Sequence, residues 1–545
     1  MRTIRKKGVN KVMLAGLVLG FIGFLLPFFI QFEGLSFAGH MALGIFLMAA
    51  SFWMLEPIPI YSTSLLVIML QVLLLSAQGP VYKASSLPET NPVTVSADKN
   101  LWQVPRSALD GDEAVYIRID DKKTQRIEVQ VTESRDDMAV ISAPGLSEGD
   151  MIVTDSGHWL IKYQAAHYST YFRTLADPII ILFLGGFMLA GAAVKYNLDK
   201  NLTSVLLKPF GKKPMYIALG LMLVTAILSA FMSNTATTAM MMTVVIPITA
   251  QFPPEDRFKT ALALSIPIAA NVGGIATPIG TPPNAIVIAA LNQQGISIPF
   301  GEWMMLVMPI VIILLLVSWF TLGYLFPPTL SEFKLKLEGK FNTSVKAITL
   351  YVIFALTVIL WITEAQHGIP SSMVAFLPIT ALTVTSVMTK EDIRNLPWDV
   401  LWLVAGGIAL GVAMDNTGLA TWIVSSISWE TLPKLMLLLV FGLVAYMMSN
   451  FLSNTVTATL IIPLAISIGT SGIAGEGFNL IITCIFVGIA CNIAMMLPIS
   501  TPPNAIAMST GYLKTSDMVK VGVIVGIIGL IVGLLIATFI WPFMI

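Results

Sequence analysis

The chain has 545 residues, 56% hydrophobic and 11% charged, with a mean hydropathy of +0.82. A soluble protein is roughly 25% charged, so most of this chain cannot face water, and the composition describes an all-α polytopic membrane protein. Lys plus Arg (31) balances Asp plus Glu (31), which leaves no basic excess for nucleic acid. Four scattered His and two Cys, at 484 and 491, give neither a zinc spacing nor a disulfide framework.

In chain order, a basic start (Arg2, Arg5, Lys6, Lys7) leads into an apolar run with no small-residue cleavage site, which reads as a retained first helix. Runs long enough to cross a bilayer follow near 12–32, 41–55, 59–78, 176–195, 260–291, 303–326, 347–363, 371–388, 399–416, 477–510 and 521–543, predicting eleven transmembrane helices. Two stretches, 214–250 and 433–470, are too long for one span and carry Ser-Asn-Thr near their centres, so they read as re-entrant hairpins. With the N-terminus cytoplasmic, this alternation puts 20 Lys and Arg in cytoplasmic segments and one, Lys434, in short outer loops. The other ten lie between the third and fourth spans, nine of them in one long segment, which the positive-inside rule exempts.

That segment, residues 79–166, separates the first three helices (1–78) from the rest of the chain and differs from both in composition. Val115, Ile117 and Ile119, then Ile127, Val129 and Val131, alternate as strands do, with turn signals at Asp110-Gly111 and Pro144-Gly145. It reads as a small β-rich extracytoplasmic insertion. Val104-Pro-Arg-Ser-Ala-Leu109 and Gly145-Leu-Ser-Glu-Gly-Asp-Met-Ile-Val153 resemble the membrane-proximal β module of periplasmic adaptor (membrane-fusion) proteins. That resemblance implies a periplasmic protein partner.

The strongest signal is an internal repeat. Ser229-Ala-Phe-Met-Ser-Asn-Thr-Ala-Thr237 recurs 220 residues later as Ser449-Asn-Phe-Leu-Ser-Asn-Thr-Val-Thr457. Pro278-Ile-Gly-Thr-Pro-Pro-Asn-Ala-Ile286 recurs at the same offset as Pro498-Ile-Ser-Thr-Pro-Pro-Asn-Ala-Ile506, with eight of nine residues identical. Leu184-Gly-Gly186 pairs with Ala405-Gly-Gly407, and Trp53-Met-Leu-Glu56 with Trp361-Ile-Thr-Glu364 once the insertion is discounted. The first copy continues over 167–346 and the second occupies 347–545. Five spans and a hairpin in each copy make an odd number of crossings, so the copies are expected to be inverted, as in secondary transporters.

Tandem prolines inside apolar spans remove two backbone donors, so the helices should break at Thr281-Pro-Pro-Asn284 and Thr501-Pro-Pro-Asn504. A break frees carbonyls for a small cation at one stub and amides for an anion at the other. Ser, Asn and Thr at the hairpin tips supply neutral oxygens and donors beside them. Glu56 and Glu364, at span ends, read as structural.

These paired Ser-Asn-Thr hairpins and Thr-Pro-Pro-Asn breaks resemble those of the divalent anion:sodium symporter family, which includes bacterial sodium-dicarboxylate transporters. The resemblance covers the whole chain apart from the insertion. It implies a transporter, not an enzyme: a homodimer in a bacterial inner membrane, its transport domain moving in elevator fashion. It implies no cofactor beyond sodium as the coupling ion. By the same resemblance, one sodium maps to Ser229, Ser233, Asn234 and Gly280, and another to Ser449, Asn454, Ser500 and the backbone at Pro502. The substrate maps to Asn234, Thr235, Asn454, Thr455 and Thr501, with Pro282 and Pro502 nearby. Sodium-coupled symport of a C4-dicarboxylate such as succinate is the leading expectation. Succinate, citrate and sulfate all suit neutral donors. A sodium-independent anion exchanger and a membrane partner of an envelope efflux assembly are alternatives; a cation or arsenite antiporter is disfavoured by the anion-compatible tips. The 79–166 segment and the C-terminus fall outside the cytoplasm.

Overall fold

The computed structural model describes residues 11–30, 32, 35–84, 90–95, 101–110, 113–119, 124–135, 137–154, 165–253, 255–332, 341–425, 433–470 and 478–545. The basic start and Gly111 of one expected turn lie outside them. The described chain is mostly helical, with two small sheets in the inserted segment. It falls into two units, residues 1–174 with 409–426, and residues 175–408 with 427–545.

In the larger unit each Ser-Asn-Thr stretch joins two helices. Pro214–Phe231 turns at Met232 and Ser233 into Asn234–Thr249, and Lys434–Phe451 turns at Leu452 and Ser453 into Asn454–Thr470. Met232 and Leu452 are extended (φ −133°, ψ 163° and φ −109°, ψ 165°), which ends each first arm. A serine then starts the next helix, as serines favour; Ser453 Oγ accepts from Val456 N at 3.2 Å.

The two spans holding Thr-Pro-Pro-Asn come in pieces, Phe258–Gly274 with Pro282–Gln293 and Leu480–Asn492 with Pro502–Met508. The ring of a proline pushes the preceding residue out of helical space. Thr281 (φ −154°, ψ 145°) and Thr501 (φ −142°, ψ 146°) are accordingly extended, and each first proline restarts a helix at a position that needs no donor.

Among the described residues nine helices are long and apolar enough to cross a membrane. They include the first arm of each hairpin and exclude the broken helices and the shorter Ile60–Leu74 and Ser371–Val384, which is why the number differs from eleven expected spans. The repeat register holds in the elements: Pro178–Lys195 answers Trp398–Asn416, and Pro214–Phe231 answers Lys434–Phe451. The second arm of each hairpin packs on the other repeat's restarted helix, Asn234–Thr249 on Pro502–Met508 and Asn454–Thr470 on Pro282–Gln293.

Glu364 is structural. Its two carboxylate oxygens accept from Phe300 N (2.7 Å) and Ser371 N (2.9 Å), each the first residue of a helix, where a negative charge is favourable. Lys195 Nζ, at the end of Pro178–Lys195, donates to Val387 O (2.9 Å) and Asp392 Oδ2 (2.5 Å). Burial alone would raise the Asp392 carboxyl, but hydrogen bonds from Lys195 and Thr389 outweigh it and hold it at about 2.

In the smaller unit, Lys11–Phe29 packs closely on Phe37–Leu55, with Gly20 against the Phe52 ring and Gly44 against the Phe24 backbone, small residues that let membrane helices approach. Among the described residues the insertion holds nine strands, all paired antiparallel: β1 (Thr90–Pro92), β2 (Thr94–Val95), β3 (Leu101–Pro105), β4 (Leu109–Asp110), β5 (Ala114–Arg118), β6 (Thr124–Glu128), β7 (Gln130–Arg135), β8 (Met138–Ser142) and β9 (Met151–Val153). One sheet runs β1-β9-β5-β4 with β6 on β5, the other β2-β3-β8-β7. Val115 pairs with Ile127, and both share a core with Trp102, Val104 and Ile141. Ile117 and Val131 are partly buried against that core, whereas Ile119 is 61% exposed because β5 ends at Arg118.

The insertion leaves and rejoins the helices at one point: Ala77 N donates to Ala166 O (2.9 Å) and Tyr168 N to Gln78 Oε1 (3.0 Å). Its removal therefore opens almost no gap, and its core goes with it. Replacing residues 79–166 by a short Gly/Ser linker is expected to leave a monodisperse membrane protein with uptake in proteoliposomes. Size-exclusion profile and uptake together check this; a monodisperse but inactive variant would place the domain inside the transport cycle.

Candidate functional site

The first hairpin tip meets the first helix break at Asn234. The inward end of its side-chain amide lies 2.6 Å from Ser229 Oγ, 3.1 Å from Gly280 O and 3.3 Å from Ala270 O. Ser229 Oγ in turn donates to Ala270 O at 2.9 Å. With the amide oxygen inward, four neutral oxygens face one another; with the nitrogen inward, its two protons have the other three oxygens as acceptors within reach. Glycine is required on both sides: a Cβ on Gly274 would lie 2.6 Å from Asn234 Oδ1, and one on Gly280 would run into Gly274 O. Ser233 is the N-cap of Asn234–Thr249 but makes no side-chain cap bond, and Thr235 beyond it is exposed.

The second tip repeats the first in part. Ser449 Oγ lies 2.8 Å from Asn454 Oδ1 and 3.1 Å from Cys491 O, the counterparts of Asn234 and Ala270, and donates its one proton to either. Ser500, the counterpart of Gly280, is used otherwise: its hydroxyl donates to Asn450 O (2.9 Å) and accepts from Leu497 N (3.1 Å). In the first repeat Thr277 donates to the equivalent carbonyl, Ala230 O. Leu497 stands in its place in the second and has no hydroxyl to offer, so Ser500 takes over the bond. Thr455 is buried, Pro282 half-buried and Pro502 exposed.

Each break is closed by its own asparagine. Asn284 Nδ2 lies 2.8 Å from Thr277 O, 3.0 Å from Gly274 O and 3.3 Å from Ile275 O; Asn504 Nδ2 lies 2.9 Å from Met495 O and 3.0 Å from Leu497 O. Trp303 Nε1 adds a bond to Ile275 O (3.1 Å). The Asn of Thr-Pro-Pro-Asn thus reaches back to the carbonyls the break releases, where an unmet polar group away from water is costly.

Asn271 and Asn492 were not singled out from the sequence, although they stand 221 residues apart in the repeat register. Both are 2% exposed. Asn271 Nδ2 donates to Thr501 Oγ1 (3.1 Å) and lies 3.5 Å from Asn504 Oδ1. Asn492 accepts from Thr281 Oγ1 (3.1 Å) and donates to Asn284 Oδ1 (2.9 Å). Each asparagine precedes one break and grips the other. The four motif copies are therefore linked through hydrogen bonds and the Ala270-Asn271 and Cys491-Asn492 backbone, and none of them contains Lys, Arg, Asp or Glu.

The sequence profile of the sodium:sulfate symporter transmembrane region matches residues 147–545. The chain belongs to this family of divalent anion:sodium symporters. Similar curated proteins are a sodium-dependent dicarboxylate transporter of Staphylococcus saprophyticus, 31% identical over 385 residues (64% of this chain, 73% of that protein), and an uncharacterized transporter of Haemophilus influenzae, 35% identical over 372 residues (64% and 78%). An uncharacterized transporter of Schizosaccharomyces pombe is 31% identical over 365 residues, which is 65% of this chain but only 41% of that protein. Family and relatives are transporters, not enzymes, and this chain is a multi-pass membrane member with the insertion largely outside the matched region.

The contact between Gly274 and Asn234 gives a direct check on the site. Gly274→Ala is expected to cost about 1–3 kcal/mol by overpacking and to displace the Asn234 amide, cutting uptake at least about tenfold. Gly191→Ala, whose Cβ would find its nearest neighbour, Met388 Cε, at 3.4 Å, should be tolerated. Thermal melting and initial uptake rates of the purified variants distinguish the two.

Proposed function

We propose that this protein carries a divalent anion across the membrane together with sodium. The observation that carries the reading is the half-buried nest at Asn234, where a hydroxyl, two carbonyls and an amide oxygen form a neutral ligand set suited to a hard cation. Sodium binds among Ser229, Ser233, Asn234 and Gly280, and a second sodium among Ser449, Asn454, Ser500 and the backbone at Pro502. Without the ion, Asn234 turns its nitrogen inward and the nest closes on itself. Substrate carboxylates meet Asn234-Thr235, Asn454-Thr455 and Thr501 beside Pro282 and Pro502, at the starts of helices, where backbone donors favour anions. The motifs hold no cationic side chain, so a dianion brought there is neutralised by co-bound sodium and helix ends.

The relatives named as sodium-dependent dicarboxylate transporters support a C4-dicarboxylate such as succinate, and the family's description makes sulfate the rival. The two repeats are inverted in the membrane, and the protein works as a homodimer by an elevator motion. It resides in a bacterial inner membrane with its N-terminus cytoplasmic and residues 79–166 and its C-terminus outside. The insertion meets a periplasmic protein.

Uptake into proton-tight proteoliposomes tests the coupling. Succinate, citrate and sulfate are compared with sodium or choline outside, and only sodium should drive accumulation, of succinate above the others. Equal uptake in choline would sink symport and favour exchange. Asn234→Ala and Asn454→Ala should each lose about 1.5–3 kcal/mol of sodium binding, the worth of a hydrogen bond or ligand to a charge. That is roughly a ten- to hundredfold rise in half-saturating sodium, with the folded protein retained. A variant with native sodium dependence would show that its tip serves only helix packing.

A further inference from the structure

We infer that Asn271 and Asn492 are positioning residues that couple the two cation nests, so that filling one prepares the other. The inference rests on the sodium reading above and adds the path between the sites. Ala270 O is an oxygen of the first nest, and the same planar peptide unit joins it to Asn271. The Asn271 side chain holds Thr501 and Asn504 of the second break, next to Ser500. Cys491 O is likewise bonded to Ser449 at the second tip, and Asn492 beyond it holds Thr281 and Asn284 of the first break, next to Gly280. A carbonyl drawn toward a cation in one nest therefore moves the side chain that fixes a break lining the other. The connection runs in both directions, as coupling between sites must.

The crossing is what a purely structural role leaves unexplained. Asn284 and Asn504 already close their own breaks, so the breaks have local caps without Asn271 and Asn492. These two residues, both 2% exposed, spend their amides on the opposite repeat instead. Buried amides must find partners, but partners nearer in the chain would satisfy that need without linking the repeats.

Radioactive sodium binding to the purified full-length protein, by scintillation proximity, tests this. The native protein should bind with a Hill coefficient above 1. Asn271→Ala and Asn492→Ala should each bring it to about 1 and raise half-saturating sodium about fivefold or more, the lower end of ordinary allosteric coupling. Because an alanine there can compromise folding, Thr281→Val removes only the hydroxyl that donates to Asn492 and should act in the same direction, whereas Thr281→Ser keeps it and should restore cooperativity. A native Hill coefficient in Asn271→Ala or Thr281→Val overturns the inference, as does fewer binding-competent molecules with unchanged cooperativity. A native protein that binds two sodium ions without cooperativity also overturns it while leaving the sodium reading standing. Absence of sodium binding in the native protein overturns the sodium reading itself.

Discussion

A helix that stops inside a membrane leaves carbonyls with no water to meet, and the organisation of this site follows from how those carbonyls are answered. The tandem prolines force the stop, and Asn284 and Asn504 reach back to the released carbonyls from the third position of the new helix. Trp303 supplies another donor at the first break. Gly280 O and Ala270 O are directed instead toward the Asn234 amide at the hairpin tip. The same chemistry that lets the chain fold leaves a small set of oxygens converging on one point, so the fold and the site are two outcomes of one constraint.

Neutrality is the second consequence. A nest of hydroxyls, carbonyls and amides can be buried at the cost of hydrogen bonding alone, whereas a buried carboxylate would carry a desolvation penalty of several kcal/mol. The asparagine side chain suits the task because its two ends are nearly equal in shape and opposite in hydrogen-bonding role. Turning Asn234 over converts a set of facing oxygens into a satisfied donor cluster without moving the backbone. Charged groups are placed elsewhere, Glu364 across two helix starts and Lys195 against Asp392.

Much of this was legible in the sequence because the signals were local and doubled. Pro-Pro inside an apolar run has one mechanical meaning, and its recurrence 220 residues on set the register of the hairpins as well. Asn271 and Asn492 were not legible, since a lone asparagine in an apolar helix looks like packing until its partners are seen, and those partners lie 230 and 208 residues away. Ile119 continues the alternation of Val115 and Ile117 yet lies past the end of β5, because alternation does not say where a strand ends. Ser500 was assigned by equivalence with Gly280, and its hydroxyl turned out to be held by Asn450 O and Leu497 N.

That last difference shows what the repeat preserves. The carbonyl following Ser229 and the one following Ser449 each receive a hydroxyl, from Thr277 in the first copy and from Ser500 in the second. The donor has moved by three positions, Leu497 has replaced the threonine, and the serine has replaced the glycine. What is kept is a satisfied backbone group, and the residue that satisfies it is free to change. The exchange has a consequence for the site: at the first break the position beside the nest carries no side chain, and a Cβ there would collide with Gly274 O. At the second break the corresponding residue carries a hydroxyl already committed to the hairpin. The two tips are thus built from unequal surroundings although their sequences are near copies, and the inequality lies in these two positions, since the Ser and Asn are shared.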